Sequence, residues 1–123
     1  DKSIAMSTPQ EFRDYREKMN ERILSNDNKM LKRFFSLDNQ CYREGALTEK
    51  TKEMLGLIAS LVLRCDDCIK YHVEQSYEKG LNEAEFFEIL AIGNLVGGSI
   101  CIPHSRRAVE FWDALIEEEK YTK

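Results

Sequence analysis

Between Met54 and Leu63 the chain reads MLGLIASLVL, apolar except at Gly56 and Ser60. Wound as an α-helix, Met54, Leu55, Leu57, Ile58, Leu61, Val62 and Leu63 cover nearly every side of the cylinder, and a helix apolar all round has to be covered all round. The run is only about half of the ~20 residues that a membrane span requires, so it belongs in a protein interior. A chain of 123 residues is the size of one domain and has difficulty surrounding one of its own helices. Another subunit is therefore expected to cover part of this one.

The rest of the sequence reads as helices around that central one. Thr8, Pro9 and Glu11 supply an N-cap, a proline at the first helical position and a capping-box glutamate. They open a first helix over about 9–25, with Phe12, Tyr15 and Met19 on one stripe. After SNDN, the residues Met30, Leu31, Phe34, Phe35 and Leu37 form a second amphipathic helix ending near Gly45. Thr48 caps the third, which holds the apolar run. A fourth starts at or just before Cys65 and stops at Gly80, a C′ glycine. Asn82 with Glu85 caps a fifth, which runs to Gly97-Gly98. The sixth spans about 99–120, with Pro103 tolerated in its first turn and Val109, Phe111, Trp112, Leu115 and Ile116 on its apolar side. No strand, repeat or linker interrupts the series, so the fold class expected is all-α, with residues 1–123 forming a single domain.

Charge and composition exclude several functions. With 33% charged residues, a net charge of −4 and lysines and arginines mixed among carboxylates, the chain lacks a nucleic-acid footprint despite the small cluster Arg106-Arg107. The opening DKSIAMSTPQ has no apolar core of a leader; Asp1 to Ala5 read as a remnant ahead of a starting Met6, and the expected location is the cytoplasm. In a reducing compartment, a close pair among only four cysteines points to catalysis or metal binding rather than to a disulfide scaffold.

That pair is Cys65 and Cys68, followed by His72. At i, i+3 and i+7 the three side chains fall within about 60° on one helix face. His72 stands one turn beyond Cys68, where an imidazole can draw off a thiol proton, and a helix N-terminus favours a thiolate. If the chain reverses near Arg64, the third and fourth helices form an antiparallel hairpin that brings Glu53 level with His72, where a carboxylate can orient the imidazole. Zinc is the rival reading: Cys65, Cys68 and His72 supply three ligands, and Cys101 with His104 two more candidates. Spacing leaves the redox and zinc readings close to balanced. Cys41, alone on the second helix, reads as a buried small hydrophobe. Cys101 and His104 share a face at i, i+3 and either line the same cavity or serve packing.

The pattern of a glutamate, eleven residues and then C-x-x-C-x-x-x-H, present as Glu53, Cys65, Cys68 and His72, resembles the thiol-bearing branch of the carboxymuconolactone decarboxylase and AhpD-like alkylhydroperoxidase family. The flanking EQSYEKGLNEAEFFEIL and GGSICIPHSRRA are similar to family segments as well, so the likeness covers about 49–108, the functional core. The resemblance implies an AhpD-like helical fold, assembly into dimers, trimers or hexamers, and thiol-dependent peroxidase or disulfide-reductase chemistry with no metal or other cofactor beyond the cysteine pair. It implies that Cys65 and Cys68 cycle between dithiol and disulfide while Glu53 and His72 relay a proton. The implied partners are a hydroperoxide substrate and a lipoyl- or thioredoxin-like dithiol donor or a peroxiredoxin. A non-redox, lactone-decarboxylase-like enzyme stays beside the zinc-binding module as an alternative, although the decarboxylase branch lacks the cysteine pair. One departure stands out: peroxidase members carry a histidine just before the second cysteine, and here that residue is Asp67. Asp66 and Asp67 would together oppose a thiolate and weaken peroxidase activity.

Overall fold

The computed structural model describes residues 8–122, so most of the opening stretch read above for a leader lies outside the described residues. Among them are six α-helices: α1 (Pro9–Leu24), α2 (Lys29–Cys41), α3 (Glu49–Leu63), α4 (Asp66–Glu78), α5 (Glu83–Gly97) and α6 (Ile102–Thr122). A single 3-10 turn, Ser99–Cys101, precedes α6. The all-α fold and its central hairpin follow the sequence reading, and none of the six helices is long and apolar enough to cross a membrane. The chain divides into two compact units, one ending at Arg43 and the other beginning at Glu44.

The first unit holds α1 and α2. Thr8 and Glu11 form the expected reciprocal capping box. Asn28 caps α2 by accepting from the backbone N–H groups of Met30 and Leu31. α2 stops at Cys41, short of the expected Gly45, and buries none of its residues. Cys41 is accordingly exposed rather than the buried small hydrophobe the sequence suggested.

The second unit carries the core. α3 turns Glu53, Leu57, Ser60 and Leu61 inward, a stripe at i, i+4, i+7 and i+8. α4 answers with Ile69, His72, Val73 and Ser76. α5 adds Phe86, Ile89, Leu90 and Gly93, and α6 adds Ala108, Phe111, Trp112 and Leu115. Trp112 stacks on Phe86 with ring centroids 4.5 Å apart. Where α3 and α5 meet, a Cβ on Gly93 would come 2.5 Å from Leu61 Cδ2, so any larger residue there would force Leu61 to shift.

As the sequence reading anticipated, the chain by itself does not cover α3 on every side. Leu55 and Leu63 are 51% and 76% exposed, because the second unit covers only the stripe that faces α4 and α5. The outer face of α5 is equally apolar, with Ile92, Leu95 and Val96 exposed.

Two helix ends shape the hairpin. α4 closes in a Schellman motif, with Gly80 at φ 94° and the N–H groups of Gly80 and Leu81 donating to the carbonyls of Tyr77 and Ser76. α3 closes in the same way, but Arg64 takes the left-handed position at φ 59°; its N–H donates to Leu61 and that of Cys65 to Ser60. Cys65 thus ends one helix and caps the next. The reversal occurs within two residues, at the place where the sequence suggested it.

Candidate functional site: a cysteine pair over a buried carboxylate–imidazole pair

Cys65 is the N-cap of α4, and its Sγ accepts from the Cys68 backbone N–H at 3.3 Å. Cys65 therefore lies just outside the helix rather than in its first turn, because its backbone is still extended where α3 hands over to α4. Cys68 occupies the third helical position, and the two sulfurs are joined as a disulfide with Cα atoms 5.3 Å apart. Cys68 is exposed and Cys65 half-buried, so a partner approaching from solvent meets Cys68 first.

One turn further along α4, His72 is buried at 8% exposure, and across the hairpin Glu53 is buried at 3%. His72 Nδ1 lies 2.8 Å from Glu53 Oε1. This is the pairing the hairpin was expected to make. A carboxylate accepting from Nδ1–H fixes the tautomer that leaves Nε2 as the proton acceptor. Tyr71 sets its ring edge-on to His72 at 5.2 Å between centroids.

The remaining candidates separate. Cys101 is fully buried in the 3-10 turn, its Sγ 3.6 Å from the carbonyl of Leu61, and serves packing. His104, on α6, points instead at the start of α4, with Nδ1 2.8 Å from Asp66 Oδ1. Of the two alternatives, lining one cavity or packing, the contacts favour packing for Cys101: the two side chains meet different partners, and the chain passes from a 3-10 turn into α6 between them. Asp67 is exposed. Among the described residues no group of three or more histidine, cysteine, aspartate or glutamate side chains is arranged to hold a metal ion.

Sequence reasoning missed the role of Arg107. Its Nε donates to Asp66 Oδ2 at 3.1 Å, so Asp66 is gripped through both oxygens by two residues of α6. Burial on its own raises the Asp66 pKa, but the His104 hydrogen bond and the Arg107 charge outweigh it and hold the carboxyl below its ordinary value. Asp66 was expected, with Asp67, to work against the thiolate; it is instead paired with two residues of α6. The signal was present as H-x-x-R at helical spacing, but nothing in the sequence placed it opposite Asp66.

A profile of the carboxymuconolactone decarboxylase family matches residues 28–111, and the chain belongs to that family. It is similar to the Thermotoga maritima protein TM1620, with 51% identity over 90% of this chain and 97% of that one and a TM-score of 0.87. A second structure of that protein, which has been suggested to take part in the antioxidative response, superposes with a TM-score of 0.86. A Legionella pneumophila member, lpg0406, shares the fold at 22% identity and a TM-score of 0.70, covering 84% of this chain and 95% of that one. Among curated proteins, an uncharacterized Cupriavidus necator protein is 27% identical over 59% of this chain, and the match spans 65% of that relative's length.

Proposed function

We propose that the protein is a thiol-dependent oxidoreductase of the alkylhydroperoxidase type, a peroxidase or disulfide reductase working through Cys65 and Cys68. The observation that carries this reading is a C-x-x-C disulfide at a helix start, exposed at Cys68, with a buried Glu53–His72 pair one turn beneath it. The suggested antioxidative role of the Thermotoga protein points the same way.

In the reduced protein, His72 takes the proton of the Cys68 thiol. The thiolate attacks a hydroperoxide ROOH, giving the Cys68 sulfenic acid and, with that proton, ROH. The Cys65 thiol displaces the sulfenic oxygen as water and closes the disulfide. A dithiol partner then attacks Cys68, forms a mixed disulfide and leaves as its own disulfide, returning two protons and two electrons to the pair. The exposure of Cys68 favours it over Cys65 as the sulfur that meets both peroxide and donor. No resident metal or organic cofactor enters these steps. The donor expected is a lipoyl- or thioredoxin-like dithiol or a peroxiredoxin, the location the cytoplasm, and the working form a homo-oligomer whose further copies cover the outer faces of α3 and α5.

The test starts from fully reduced protein freed of reductant. One equivalent of an organic hydroperoxide is added, remaining thiols are alkylated, and the products are mapped by mass spectrometry. Cys65 and Cys68 alone should escape alkylation, joined to each other. Alkylation of all four cysteines would end the peroxidase reading.

A further inference from the structure

The start of α4 holds both sulfurs and two carboxylates, an arrangement that on its own works against a thiolate. Asp66 follows Cys65 directly, and Asp67 precedes Cys68. Charges a few ångströms from a thiol move its pKa: a carboxylate upward, a guanidinium downward. Asp66, however, is held by α6 through both oxygens, Oδ1 by His104 Nδ1 at 2.8 Å and Oδ2 by Arg107 Nε at 3.1 Å. Arg107 Nη2 also lies 3.2 Å from His104 Nδ1. That nitrogen cannot donate to Asp66 and accept from Arg107 at once. The shorter contact to a carboxylate makes it a donor to Asp66, and Arg107 then acts on Asp66 through Nε.

We propose that Arg107 and His104 are positioning residues that hold the Asp66 carboxylate and offset its charge, so that the neighbouring cysteine pair keeps a reactive thiolate. The proposal rests on the reading of Cys65 and Cys68 as working thiols and adds a control that the Glu53–His72 pair does not supply. The charged and titratable groups around the sulfurs are Arg64 at the turn, Glu53 on α3, Asp66, Asp67 and His72 on α4, and His104 and Arg107 on α6. Asp66 is the one among them whose charge is set by a partner from α6. Asp67 is left to oppose the thiolate alone.

The proposal predicts substitutions of opposite sign. Arg107→Met frees the Asp66 charge and disfavours the thiolate. Asp66→Asn leaves the Arg107 charge unopposed and favours it. The double variant removes both charges and returns close to the original protein. A clamp that merely braced α4 against α6 would be lost in either single variant, and both would shift the thiols the same way.

The experiment is the pH dependence of iodoacetamide alkylation on fully reduced protein, with Cys65 and Cys68 peptides quantified separately from Cys41 and Cys101 by mass spectrometry. Arg107→Met should raise the midpoint by about half a unit to one unit, read below the midpoint as a roughly three- to tenfold slower reaction. Asp66→Asn should lower it, Asp66→Asn/Arg107→Met should restore it, and Arg107→Lys should lie between Arg107→Met and the original. Equal shifts in the two single variants, or no shift in either while circular dichroism shows both folded, would overturn the proposal. The profile needs no peroxide turnover, so it reads the clamp even if the hydroperoxide test fails.

Discussion

Arg64 is the one described residue other than glycine with a positive φ, and it sits where the hairpin needs its sharpest bend. The left-handed region costs an L-residue roughly 1–2 kcal/mol, part of which a glycine would return as unfolded-state entropy. Arg64→Gly is therefore expected to stabilise the protein by about 1 kcal/mol or less. A rise in the urea midpoint with unchanged slope checks it. At the buried pair, His72→Gln removes the base while keeping much of the volume. The loss expected is on the order of 10²-fold in hydroperoxide consumption, the lower end of what a positioned base contributes. An initial-rate assay saturated with a dithiol donor reads it. Cys68→Ser should abolish turnover in the same assay.

At the scale of elements, caps and close approaches fix where helices start and how near they come. Asn82 accepts from Glu85 N–H while the Glu85 side chain accepts from Asn82 N–H, and Lys50 of α3 donates to Glu85 at 3.1 Å. Asn82→Ala should cost about 1 kcal/mol in chemical denaturation. Gly93→Ala improves helix propensity, yet its Cβ would meet fully buried Leu61, so a net loss of about 1–3 kcal/mol is expected from overpacking. The Asp66 clamp ties α4 to α6 and makes stability depend on acid. Its folded pKa lies below the ordinary 3.8, so its contribution is present above that value and fades as pH falls through the lower, folded one. Asp66→Asn should flatten the loss of thermal stability in that acid range, and calorimetry across it shows whether it does.

For the whole molecule, the outer faces of α3 and α5 set the problem. Leu63, Leu95 and Val96 are 76%, 85% and 69% exposed, large apolar side chains that a subunit interface would cover. Under the homo-oligomer proposed above, sedimentation velocity should give a multiple of the 14.4 kDa chain mass. Leu95→Glu should lower that mass while leaving helix content unchanged. A chain that sediments at its own mass at micromolar concentration would refute the assembly.

Much of this protein is local and therefore legible in its residues. Helix starts at Thr8, Thr48 and Asn82 and the stop at Gly80 depend on side chains a few positions away, so sequence determined them. The C-x-x-C-x-x-x-H spacing likewise announced a cysteine pair with an imidazole one turn on. The Glu53–His72 contact was legible only on condition of a turn at Arg64, which the structure supplies through an unfavourable backbone conformation that no propensity foretells. What no local pattern carries is which distant faces meet. The seat of Cys101 against Leu61 and the grip of α6 on Asp66 were decided by helix packing, which pairs residues about forty positions apart according to which apolar stripes bury each other.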